Sequence, residues 1–113
     1  SEVFEQEMPD STIAVMSGPS HAEEVAREMP TGCVAACPEK AIAERVQDLF
    51  VNPCFRVYSS TDVTGVELCG AAKNIIALAA GMAEGMGYGD NAKALLMSRA
   101  LVELSALIKA AGG

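Results

Sequence analysis

Tryptophan is absent from this sequence and aromatic residues make up only 4% of it, so its core must be built from Ala, Val, Ile, Leu and Met. That favours closely packed helices over a large aromatic pocket. Basic residues are also scarce: eight Lys and Arg stand against fifteen Asp and Glu, for a net charge of −7. The eight are scattered and form no basic tail, which argues against a nucleic-acid partner, because phosphate binding needs clustered cations. No long apolar run is present either. The strongest, Ile75 to Met86, is interrupted by Gly81 and Glu84 and is too short for a bilayer, and no basic segment precedes an apolar run at the N-terminus. The expectation is a cytoplasmic protein with no membrane span. The four cysteines, Cys33, Cys37, Cys54 and Cys69, match no C-x-x-C spacing, so they read as buried free thiols with no metal site.

What is present is a strand-helix alternation. Thr12 to Ser17 is a short apolar run with β-branched members, bounded by Pro9-Asp10 and Gly18-Pro19. Ser20 can cap a following helix whose acidic pair Glu23-Glu24 suits the positive end of the helix dipole, and Pro30 closes it. The pattern repeats with Thr31 to Cys37, then Pro38 leading into a helix with Ile42, Val46, Leu49 and Phe50 on one face, then Phe55 to Ser59. Such alternation predicts βαβ units in a sheet covered on both faces.

The texture changes after Asp62. Two long helical patterns follow, about Val66 to Met86 and Asp90 to Ala111. The first is apolar or small nearly all round, which predicts a place in the middle of a bundle. The second sets Ala94, Leu95, Met97, Leu101, Leu104 and Ile108 against Lys93, Arg99, Glu103 and Lys109, with Asp90-Asn91 able to cap it. Gly85 to Asp90 fails the G-x-G-x-x-G pattern at position 90 and follows a helix, so it reads as a helix-to-helix turn with glycines at positive φ.

Lys73 is the most informative position. It lies among Cys69, Gly70, Ile76 and Ala77 on an apolar helix, where a buried ammonium would have its pKa lowered toward the range useful for proton transfer. A lysine that snorkels out, or pairs with Glu67, fits the same pattern. Asn74 lies about 100° further round the helix and can hydrogen-bond a loop or a substrate edge. Ser17-Gly18-Pro19-Ser20 follows a strand and precedes a helix, where backbone N–H groups can receive an anion. His21 is the only histidine, and nothing in the sequence gives it a catalytic role.

Four segments together, SGPSHAEEVA from 17, FRVYSSTDVTGVEL from 55, GAAKNIIALAAG from 70 and GYGDNAKA from 87, resemble NAD(P)-dependent glycerol-3-phosphate dehydrogenases in order and spacing. The resemblance covers nearly the whole chain. It implies an α/β fold: residues 1–62 as the C-terminal part of a Rossmann-like βαβ domain, and 63–113 as the first long helices of a 6-phosphogluconate-dehydrogenase-like helical domain. It implies hydride transfer from NADH or NADPH to dihydroxyacetone phosphate, feeding glycerophospholipid synthesis. Lys73 falls on the family's catalytic lysine, holding and protonating the ketone oxygen. Gly18 and Ser20 fall on substrate-touching positions, as do Lys73 and Asn74 on the helix, and Ala22 on one against the cofactor.

The family's N-terminal G-x-G-x-x-G turn and its later phosphate-gripping aspartate and arginine have no counterpart here. The expectation is therefore a piece of an enzyme, inactive alone and prone to self-association. A fragment of a related hydroxy-acid dehydrogenase, which shares the G-x-x-K-N spacing from Gly70 to Asn74, and a helical self-association module are the alternatives.

Overall fold

The computed structural model describes residues 1–113. The elements run α1 Glu2–Glu7, β1 Val15–Ser17, α2 Ala22–Ala26, β2 Thr31–Ala36, α3 Lys40–Phe50, β3 Phe55–Ser60, α4 Val63–Gly85 and α5 Asp90–Ala110. The three strands form one sheet in the order β1-β2-β3. The alternation read from the sequence is thus present, and the helical boundaries fall within a few residues of those expected.

β2 and β3 are parallel, from Thr31 opposite Phe55 to Ala36 opposite Ser60, and α3 crosses between them. An eleven-residue helix spans about 16 Å, enough to carry the chain back to the start of the next strand. α3 packs through Ile42, Ala43 and Val46, and its Gln47 donates a 2.6 Å hydrogen bond to the Val57 carbonyl. Leu49 and Phe50, expected on that face, are exposed at 73% and 49% in the last turn of the helix. The buried core is small-residue: Cys33, Ala35, Ala36, Cys37, Ala43 and Val57, with Leu104 on α5. On β3 the period of two puts Val57 inside while Arg56 and Tyr58 face out, the guanidinium 5.5 Å from the ring centroid.

β1 departs from the expected βαβ pattern, since it pairs antiparallel with β2, Val15 opposite Ala36 and Ser17 opposite Val34. The five residues of α2 span only about 7.5 Å, too little to return the chain along a six-residue strand of about 20 Å, so β2 starts where β1 ends. β1 therefore lies along the carboxyl-terminal half of β2, and its own carboxyl end, Ser17 opposite Val34, points toward the end of the sheet where β2 and β3 begin.

The helix termini also differ from expectation. His21, not Ser20, is the N-cap residue of α2, and the Ser20 hydroxyl points back at 3.5 Å from the Gly18 carbonyl. α2 closes well before Pro30: Met29 N–H bonds to the Glu24 carbonyl and Glu28 N–H to that of Val25, with Glu28 at φ 57° in the left-handed position usually given to glycine. The same closure ends α4, where Gly87 at φ 78° takes that position; Gly85 and Gly89 have no positive φ, and Gly89 rather than Asp90 or Asn91 is the N-cap of α5. Asp62 caps α4, accepting from Gly65 N–H at 2.7 Å.

α4 lies across β1 and β2 and pairs with α5. It was expected to sit mid-bundle, yet Gly65 is its one buried residue, and Ile75, Leu78 and Met82 are 59–72% exposed. On α5 only Leu104 is buried, with Leu95, Met97 and Leu101 open. Two helices and a sheet edge cover one stripe of each helix and leave the rest bare. By length and composition α4 is apolar enough to cross a bilayer, a property that the core helices of soluble proteins share. The cysteines also divide, Cys33 and Cys37 buried, Cys54 half-buried and Cys69 exposed, all of them free.

Candidate active site around Lys73

The path of α4 decides where Lys73 ends up. The helix leaves the carboxyl end of β3 and runs back over the sheet, so its third turn arrives at the carboxyl end of β1. There the Lys73 ammonium donates a hydrogen bond of 2.8 Å to the Gly18 carbonyl, 55 residues away in the chain. An ammonium has three N–H donors, so two remain for a bound molecule.

Two close approaches set this contact. A Cβ on Gly18 would lie 2.4 Å from the Gly32 carbonyl oxygen and 2.7 Å from Cys33 Cα, so glycine is what lets the chain leave β1 this near to β2. A Cβ on Gly70, one helical turn before Lys73, would lie 2.6 Å from Ser17 Oγ. Glycine thus stands on both sides of the α4–β1 contact.

Gly18, Pro19, Ser20, His21, Glu24 and Lys73 line an open cavity of about 390 Å³, to which Ser20, His21, Glu24 and Lys73 bring polar side chains and Pro19 an apolar ring. Of the residues expected at the site, Gly18, Ser20 and Lys73 therefore come together. Ala22 is exposed at the start of α2, next to the lining residue His21. Asn74 is exposed and makes no side-chain hydrogen bond in this chain. His21 and Glu24 join the cavity although the sequence singled out neither as functional; their proximity to Ser20 along the turn was the available signal.

Of the readings left open for Lys73, the lysine that reaches out of the helix is the one found, because its side chain is exposed. It does not pair with Glu67. Glu67 instead accepts a hydrogen bond of 3.2 Å from the Ser1 hydroxyl. A larger open cavity of about 890 Å³ lies between α1 and the start of α4. Its ionisable groups are Glu2, Glu5, Glu67 and the Ser1 amine, and no cationic side chain faces it.

A strand-end glycine carbonyl held by a helical lysine, beside a polar cavity, is also where the sequence matches known proteins. A model of the NAD-dependent glycerol-3-phosphate dehydrogenase N-terminus matches residues 1–43, and one of the C-terminus of the same enzymes matches 62–113. The chain belongs to the NAD-dependent glycerol-3-phosphate dehydrogenase family.

It is 59% identical over 107 residues to glycerol-3-phosphate dehydrogenase [NAD(P)+] of Agathobacter rectalis, covering 95% of this chain and 32% of that one. With the enzyme of the same name from Desulfitobacterium hafniense it shares 54% over 113 residues, 100% of this chain and 32% of that. The crystal structure of glycerol-3-phosphate dehydrogenase from Coxiella burnetii superposes with a TM-score of 0.83 at 40% identity, over 99% of this chain and 34% of that. The chain thus spans about a third of the length of the relatives it matches. The α/β organisation, a small sheet followed by long helices, is that of this family.

Proposed function

We propose that this chain is a segment of an enzyme interconverting dihydroxyacetone phosphate and sn-glycerol 3-phosphate, a cytoplasmic step feeding glycerophospholipid synthesis. On this reading residues 1–62 close the nucleotide-binding domain and 63–113 open the helical substrate domain. The observation that carries it is the Lys73 ammonium on the Gly18 carbonyl at the wall of a polar cavity, in a chain of this family. Free thiols at all four cysteines support a reducing compartment.

Lys73 presents its two unused N–H donors to the substrate's carbon-2 oxygen, and that oxygen gains negative charge as the carbonyl is reduced. The lysine then gives it a proton, and takes one from the hydroxyl in the reverse direction. Gly18 and Ser20 border the substrate, and Asn74, about 100° further round α4 and outside the cavity wall, is left to meet its edge. NADH or NADPH supplies the hydride when bound. The residues present fit one side of that cofactor only: exposed, small Ala22 beside the cavity leaves room for it, whereas the chain has no glycine-rich pyrophosphate turn.

NADH and NADPH oxidation with dihydroxyacetone phosphate, followed at 340 nm, tests the reading on the full-length parent and on the 113-residue piece. Turnover by the parent and silence of the piece are expected. A parent that turns over a small hydroxy acid but not the triose phosphate would transfer the segment to the related dehydrogenases.

Self-association belongs to the same reading. Leu78, Met82, Leu95 and Leu101 leave an open apolar surface on α4 and α5 that a second copy can cover. Light scattering of the piece should show a mass that rises with concentration, and a constant monomer mass would count against it.

A further inference from the structure

We propose that Gly70 is a positioning residue for Lys73, acting through its contact with Ser17. The inference rests on the reading of Lys73 given above. Glycine inside a helix costs about 1 kcal/mol relative to alanine, so a glycine in mid-α4 calls for a local reason. The surroundings supply one at this position: an added Cβ would sit 2.6 Å from Ser17 Oγ and 3.5 Å from Ser17 Cβ, and no other atom comes near. At Gly81 and Gly85, further along the same helix, the space is open.

The geometry ties this contact to the ammonium. Gly70 and Lys73 are three residues apart, on neighbouring turns of one helix face, and Ser17 and Gly18 are adjacent in the strand end they meet. The Gly70–Ser17 approach and the 2.8 Å bond from Lys73 to Gly18 are therefore two points of one α4–β1 contact. A methyl group at Gly70 leaves two adjustments, a turn of the Ser17 hydroxyl or an outward shift of α4 that draws the ammonium off the Gly18 carbonyl, and the proposal is that the second is taken. A displacement near 1 Å at a reacting group costs about 10²-fold in rate.

The test is a mutant cycle in the full-length enzyme. Gly70→Ala should lower kcat by about 10- to 100-fold, with kcat/KM falling in parallel because the lysine's contact matters most in the transition state. Gly70→Ala combined with Ser17→Ala, which removes the oxygen at 2.6 Å and keeps the carbon at 3.5 Å, should recover most of that loss. A general packing role for Gly70 would not be rescued by deleting one hydroxyl. Full activity of Gly70→Ala would overturn the proposal, since Ser17 would then have turned aside, and so would a loss the double variant leaves in place.

Acetic anhydride labelling of Lys73, read by mass spectrometry, gives an answer that needs no turnover. Lys73 should label faster in Gly70→Ala than in the wild type and return to the wild-type rate in the double variant. Equal rates in all three would sink the positioning role even if the wild-type enzyme reduces dihydroxyacetone phosphate. The expected pattern in an enzyme that does not reduce it would uphold the positioning role and refute only the substrate.

Discussion

Lys73→Ala in the full-length enzyme is expected to lower kcat for NADH-dependent reduction of dihydroxyacetone phosphate by about 10³-fold or more. General acid catalysis by a placed side chain is worth about 10²–10⁴, and one donor to a developing oxyanion about 10²–10³. Lys73 is proposed to supply both through one ammonium. Folding should be little changed, because the side chain is exposed and makes one hydrogen bond, to the Gly18 carbonyl. That bond is worth less than about 3 kcal/mol even as a charged one. Turnover and thermal midpoint measured on the same preparations separate the two effects. Near-normal turnover would remove Lys73 from the chemistry, and a collapsed midpoint would make its role structural. Arginine cannot release its proton, so Lys73→Arg should remain impaired although it keeps the charge.

The second large effect is expected at Gly18. In Gly18→Ala the new Cβ meets the Gly32 carbonyl oxygen at 2.4 Å, Cys33 Cα at 2.7 Å and Cys33 Sγ at 2.9 Å. Two of the three are backbone atoms of β2, the middle strand, held in place by its pairing with β1 and β3. The three-residue β1 must peel away instead, at a cost of about 3 kcal/mol, near the top of the range for overpacking. The Gly18 carbonyl moves with it and Lys73 loses its anchor, so the midpoint of thermal unfolding and kcat should both fall. Trimming the thiol with Cys33→Ala in the Gly18→Ala background should not restore either, in contrast to the rescue expected at Gly70. A Gly18→Ala enzyme as stable and active as the wild type would mean that β1 and β2 are not in this register.

Much of the fold was legible because it is local. The small apolar run from Thr31, the amphipathic helix from Lys40 and the alternating strand from Phe55 carry their periods in a few consecutive residues, and each forms close to where it was expected. The long helices after Asp62 were equally plain. Strand direction was not, since it depends on how far α2 can carry the chain. Helix ends were missed for a similar reason: Ser20 has the side chain for a cap, but the turn aims its hydroxyl back at Gly18 and His21 takes the position.

At the site, the resemblance carried by motif order and spacing was enough to point to the family and to mark Lys73, Gly18 and Ser20 as residues of interest, because motif residues and their spacing survive in one dimension. The tertiary structure alone decided that Lys73 is exposed and not buried, that it bonds to Gly18 and not Glu67, and that Gly70 faces Ser17. The physical reason is that burial and partnership are properties of what packs against a helix face. For α4 that is a strand end some 55 residues earlier in the chain, brought there by the reversal of β1 against β2.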